Sequence, residues 1–207
     1  AGDPATRTFK WVPHHGPILE EDLVTKTAIS VRWVLHEGMT DLASFMGLNR
    51  ASSVAEVPAA LGDLTATNQN FVAIDDQGNI GWYPYGRIPN RPWASLSQPS
   101  WAPVPGDGTA EWSGFIAQAD LPQLTNPPGG FIATANQDIT GASADGDPTN
   151  DGHPVLQIWD TAPGARMHRI VQLIEQNGST HDVPTELSIQ ADTFSVLAEA
   201  IVPTLVQ

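Results

Sequence analysis

Apolar residues in this chain fall into short segments of strand or helix period, separated by long stretches of turn-forming residues. From Thr27 to Leu35 the pattern alternates. Ile29, Val31, Trp33 and Leu35 share one side and Ala28, Ser30 and Arg32 the other, which predicts a strand with one firmly buried face. Thr40 is placed to cap a helix carrying Leu42, Phe45 and Met46, and Ser53 with Glu56 has capping-box spacing for a second short helix ending near Gly62. Phe71–Asp75 and Asn79–Tyr85 flank Asp76-Gln77-Gly78, which predicts a hairpin. From Pro84 to Pro128, Pro, Trp and Gly dominate, and the expectation is extended loop crossing a sheet edge. Phe131–Ala135 is a short apolar run after a Gly pair and reads as a covered strand. An irregular, exposed loop is expected from Asp138 to Pro154. Thr161 then reads as the cap of a helix with Pro163 in its first turn and Ile170, Leu173 and Ile174 on one face. At the C-terminal end, Phe194, Leu197, Ala198, Ile201, Val202 and Leu205 form one helical stripe, which Pro203 is expected to bend or shorten.

The chain has 207 residues, enough for a real core, and no internal repeat or clear linker, so one domain over 1–207 is expected. With 41% hydrophobic and 15% charged residues it is globular rather than disordered. A formal charge of −14 argues against nucleic acid or an anionic membrane as partner. No apolar run approaches membrane length and no signal peptide is expected at the start. The absence of cysteine excludes disulfides, thiolate metal sites and a Cys nucleophile.

Several residues could carry chemistry. Asn136 and Gln137 follow the apolar run, and amides at a strand end are well placed to donate hydrogen bonds into a cleft; an Asn there is also a common turn-former. Arg166 and Arg169 lie a turn apart, where arginines are usually solvated or paired. His14 and His15 are adjacent, so they point in different directions and lack a carboxylate at ligand spacing. A Ser-His-Asp triad finds no G-x-S-x-G elbow in support. Asp145, Asp147, Asn150 and Asp151 make an oxygen-rich loop that superficially suits calcium but lacks the EF-hand positions.

A set of segments in order resembles the penicillin acylase family of N-terminal-nucleophile amidohydrolases. They are HHGPIL at His14–Leu19, ISVRWV at Ile29–Val34, DLASFMGLNRASSVAEVPAAL at Asp41–Leu61 and NQNFVAIDDQGNIGWYPYGRIPNRP at Asn68–Pro92. PVPGDGTAEWSGFI at Pro103–Ile116, FIATANQ at Phe131–Gln137, GARMHRIVQLIE at Gly164–Glu175 and IQADTFSVLAEAIVPTL at Ile189–Leu205 complete the set, which covers nearly the whole chain.

The resemblance implies an α+β fold: part of a four-layer αββα sandwich, with antiparallel sheets, flanking helices and long Pro/Trp/Gly-rich loops. It implies a central to C-terminal part of the large subunit. The family's nucleophile is a serine exposed by self-cleavage, whereas this chain begins with Ala1, so the chain alone is expected to be inactive. Carried over position by position, it makes Asn136 an oxyanion-hole donor and Arg166, rather than Arg169, the arginine that supports Asn136 and the nucleophile's amino terminus. Gln137 and the HHGPI segment are left with structural roles. The expected reaction is hydrolysis of the amide bond of N-acyl compounds such as β-lactam antibiotics, acyl-homoserine lactones or related acylated amines. The expected partners are the remainder of the precursor (small subunit and N-terminal part of the large subunit) and a small-molecule substrate. No cofactor is required; a structural Ca²⁺ in the intact enzyme would take Asp151 or Asp147 as one ligand of a site incomplete in this chain. A bacterial periplasmic or secreted location is implied as well. The competing expectation is a non-catalytic module whose Trp-rich loops, Trp82 to Trp112, grip a ligand or partner.

Overall fold

The computed structural model describes residues 7–66, 68–95, 97–138 and 164–206. Among them the chain is α+β, with two antiparallel three-stranded sheets and five α-helices. The first sheet takes the order β1 (Trp11–Val12), β2 (Gly16–Asp22), β3 (Thr27–Ser30). Strand β3 stops at Ser30, and Val34–Glu37 forms a 3-10 turn. The expected buried face forms only in part: Val31 and Leu35 are half-buried, whereas Ile29 is 45% and Trp33 56% exposed. Gly16 is the close-approach point of this sheet. Its φ is +134° and a Cβ there would stand 2.0 Å from the Val31 carbonyl oxygen, so the glycine of HHGPI is a packing requirement.

The second sheet grows from the expected hairpin. β4 (Gln69–Ile74) pairs with β5 (Ile80–Tyr85) in register from Gln69↔Tyr85 to Ile74↔Ile80. Asp75 holds the turn. Its Oδ1 accepts from the backbone N–H of Gln77 at 3.1 Å and of Asn79 at 2.9 Å, while Oδ2 accepts from Val54 N at 3.2 Å. The long loop region returns to add β6 (Leu124–Thr125) beside β5, through Gly81↔Thr125 and Trp82↔Leu124.

Between the sheets in sequence lie α1 (Asp41–Leu48) and α2 (Val57–Ala60), the latter inside a run of 3-10 turns. The core is built here, from Val54, Val57, Leu61, Leu64 and Tyr83, with Leu48, Phe71, Ala73 and Tyr85 packed against it. Helix α1 does not turn its apolar stripe inward: Leu42, Phe45 and Met46 are exposed, and Asp41 and Ser44 face the interior. The buried Asp41 carboxylate is the anchor. Its Oδ1 accepts from Thr65 N at 2.6 Å, Thr65 Oγ1 at 2.7 Å and Ala66 N at 3.1 Å. Thr40 does not cap α1; its hydroxyl donates to the Asp63 carbonyl instead. The bond expected of Ser53 is made one residue earlier, where Ser52 N donates to Glu56 Oε2 at 2.8 Å.

The C-terminal part is helical: α3 (Ala165–Asn177), α4 (Val183–Gln190) and α5 (Val196–Leu205). Helix α3 begins after Gly164, whose left-handed backbone occupies the cap position, so Thr161 is not its N-cap; Thr161 and Pro163 lie outside the described residues. Asp182 caps α4 by accepting from Thr185 N at 2.9 Å, and Ser195 caps α5 by accepting from Ala198 N at 3.1 Å. Pro203 lies inside α5, which runs on to Leu205. Its stripe exists but is open, with Leu197, Ile201, Val202 and Leu205 exposed.

Candidate active site

Phe131–Ala135 is not a strand: the segment runs without ladder partners, half-buried through Thr134 and buried at Ala135. A backbone that enters the interior without a ladder must find other partners for its N–H and C=O groups. Ala135 finds both in side chains. Its N–H donates to Gln137 Oε1 at 2.7 Å, and its carbonyl accepts from Arg166 Nη2 at 2.8 Å. Asn136 then turns with φ +61°, a left-handed conformation that Asn adopts more readily than most side chains. Its side chain is exposed, and its Oδ1 accepts from the same Arg166 Nη2 at 2.6 Å.

That contact fixes the amide's orientation. A guanidinium can only donate, so the atom facing Arg166 must be Oδ1, and the Asn136 Nδ2 hydrogens face away from it. Among the described residues no acceptor engages Nδ2. The arrangement is a neutral donor whose partner atom is held by a permanent cation at the start of a helix. Arg166 occupies the second position of α3, which begins at Ala165 immediately after the Gly164 turn.

Arg169, one turn on, is engaged elsewhere. Its Nε and Nη2 form a two-point pair with Asp192, at 3.1 and 2.7 Å, Nη1 donates to Gln172 at 2.7 Å, and its guanidinium lies 4.6 Å from the centre of the Phe194 ring. The Asp192 carboxyl is held below its ordinary range, chiefly by the hydrogen bonds from Arg169. Arg169 therefore ties α3 to the α4–α5 connection. Beside the two arginines an apolar groove of about 560 Å³ is lined by Ile170, Leu173, Ile189, Phe194 and Leu197.

The remaining candidates separate from this corner. His15 Nδ1 shares a 2.9 Å hydrogen bond with Ser30 Oγ, and the His36 ring sits 5.0 Å from Trp11 and 5.9 Å from Trp33. Asp147 and Asp151 lie outside the described residues, as does His153; among the described residues no group of three or more His, Asp or Glu side chains is arranged to hold a metal ion. Trp82 on β5 donates through Nε1 to Asn70, Trp93 of the loop region donates through Nε1 to the Glu111 carbonyl, and Arg32 stacks 4.4 Å from the Trp112 ring. Those contacts make the loops a packed layer and do not favour a Trp-lined ligand grip. Two participants lay beyond pattern reading: the Ala135 carbonyl as a second acceptor for Arg166, and the Gln137 side chain as acceptor for Ala135 N–H. Backbone groups carry no sequence signal, and a Gln folded back two residues looks like any polar loop residue.

Comparison with known proteins bears on the whole chain. The family described as penicillin amidase matches residues 1–207. The penicillin acylase 2 proenzyme of Pseudomonas sp. (strain SE83) is 34% identical over 196 residues, which is 92% of this chain and 23% of that protein. The acyl-homoserine lactone acylase QuiP of Pseudomonas putida is 26% identical over 202 residues, 97% of this chain and 23% of that protein. Among solved structures, a thermostable penicillin G acylase from Alcaligenes faecalis superposes with a TM-score of 0.63 at 25% identity, over 82% of this chain and 28% of that one. The chain thus spans about a quarter of the length of the relatives it matches. The chain belongs to the penicillin amidase family.

Proposed function

We propose that this chain is a portion of an amidase that hydrolyses the amide bond of N-acyl compounds, and that it contributes the oxyanion donor, Asn136, and its supporting arginine, Arg166. The observation that carries the reading is the 2.6 Å contact between Arg166 Nη2 and Asn136 Oδ1, which leaves Nδ2 oriented and, among the described residues, unengaged. When a nucleophile adds to an amide carbonyl, the oxygen gains a full negative charge, and a donor already aimed at that position needs no reorganisation. On this reading the nucleophile, a terminal serine using its own α-amino group as base, lies in the part of the parent outside these 207 residues. The chain by itself then supplies a donor without an attacking group and does not turn over amides.

The substrate class follows the relatives' names: a β-lactam carrying an acyl side chain, an acyl-homoserine lactone, or another acylated amine. A bacterial periplasmic or secreted location, and a structural Ca²⁺ taking Asp151 or Asp147, belong to the same proposal. The test is direct. Incubate the full-length parent with an acylated β-lactam and an N-acyl-homoserine lactone and identify the products. Release of a carboxylic acid and a free amine supports the reading. Opening of the lactam or lactone ring with the amide intact, or no reaction with any acylated amine, overturns it.

A further inference from the structure

We infer that Gln137 is a positioning residue for the oxyanion donor: its side chain locks the backbone turn that presents Asn136, an inference that rests on the role proposed above for Asn136. Among the described residues, Asn136 is held by two separate devices. Arg166 grips the side chain, through Oδ1, and the backbone just before it, through the Ala135 carbonyl. Gln137 grips the other side of the same buried residue, since its Oε1 accepts the Ala135 N–H at 2.7 Å. The hydrogen bond from Ala135 N to Gln137 Oε1 closes a ring whose covalent path runs through Asn136. Rotating Asn136 out of its left-handed well at φ +61° toward extended backbone would carry Gln137 away from Ala135 and break that ring.

A left-handed conformation is unfavourable for a residue with a Cβ, by roughly 1–2 kcal/mol, so it persists only where the surroundings over-determine it. Around Asn136 that determination comes from the ring on the N–H side and the guanidinium on the carbonyl side. Losing the ring leaves Arg166 to hold an amide on a backbone free to relax, and the Cβ direction, hence the Nδ2 position, is no longer set. Displacement of a catalytic group by about 1 Å costs up to about a hundred-fold in rate. In this role Gln137 acts through its neighbour, by way of the Ala135 N–H.

The experiment is a double-mutant cycle in the full-length, processed parent. Gln137→Met keeps the length of the side chain and removes the acceptor. It is expected to lower kcat by about ten-fold, part of the cost of a misplaced group, with KM changed by less than about two-fold. In the Asn136→Ala background the same change is expected to lower kcat no further, because the group it positions is gone. Gln137→Ser carries the same expectation should Gln137→Met fail to mature. Equal losses in both backgrounds would mean a general structural role and overturn the inference. An unchanged kcat for Gln137→Met beside a large loss for Asn136→Ala would overturn it while leaving the oxyanion role intact. No loss for Asn136→Ala would remove the proposed function and this inference together.

Discussion

Arg166 Nη2 lies 2.6 Å from Asn136 Oδ1 across a separation of 30 residues, and the same nitrogen lies 2.8 Å from the carbonyl oxygen of Ala135. One guanidinium nitrogen therefore orients a side-chain amide and pins the peptide that carries it. Lysine could offer charge there, but it would be a point donor on a flexible stem in place of a planar fork.

Arg166→Lys in the parent enzyme is expected to fold and mature yet lose on the order of ten-fold in kcat, the scale of one hydrogen bond to a charged group. Arg169→Lys acts on the Asp192 pair and the Phe194 contact instead, so it should lower the melting temperature and leave kcat close to the parent's. Steady-state kinetics and thermal unfolding of both variants separate the two arginines. Equal kinetic losses would contradict the division of roles.

How much of this was legible in the chain depends on the range of the interaction. The Asp76-Gln77-Gly78 hairpin was readable because its information is local, and Asp75 gathers the turn within four residues. Phe131–Ala135 has the apolar pattern of a strand, yet it enters the interior without a ladder because side chains satisfy the Ala135 backbone, one of them 31 residues away. Helix α4 went unannounced although Asp182 and Pro184 are ordinary start signals. The amphipathic stripe of α5 is legible as a pattern, but burial does not follow from it, since a stripe shows what a helix can cover and not what lies against it. The pairing of Asn136 with Arg166 came from resemblance to the family; no periodicity in either segment points to it.

Asp41 is the buried charge on which the α1 end of the core depends. Removing its carboxylate in Asp41→Ala leaves Thr65 N and Ala66 N without that acceptor, and each unsatisfied buried group costs roughly 1–3 kcal/mol. The expected loss of stability is therefore about 2–6 kcal/mol, with Asp41→Asn milder because one oxygen still accepts. Denaturant unfolding of the parent protein reads this, and a shift near zero for Asp41→Ala would show that the anchor is unimportant.

His181 provides a pH test at the start of α4. Its pKa is raised above the ordinary 6.5, chiefly by the hydrogen bond from its ring to Glu186 at 2.8 Å. Because the folded state binds the proton more tightly, this contact's contribution is fully present below 6.5 and is lost as pH rises through the folded value. NMR titration should place His181 above 6.5 in the parent and move it back down in Glu186→Gln. An unmoved titration would mean that Glu186 is not the cause.

The central claim is that Asn136 donates to the oxygen that becomes negative, and the direct measurement is kcat of the processed Asn136→Ala parent enzyme. Removing one preorganised donor lowers kcat on the order of a hundred- to a thousand-fold, about 3–4 kcal/mol of transition-state stabilisation. KM should move far less, since the neutral carbonyl of bound substrate accepts only a weak hydrogen bond. A folded, correctly cleaved Asn136→Ala enzyme showing that loss in kcat with KM nearly constant is the predicted result. The same enzyme with kcat within a few-fold of its parent would contradict the claim.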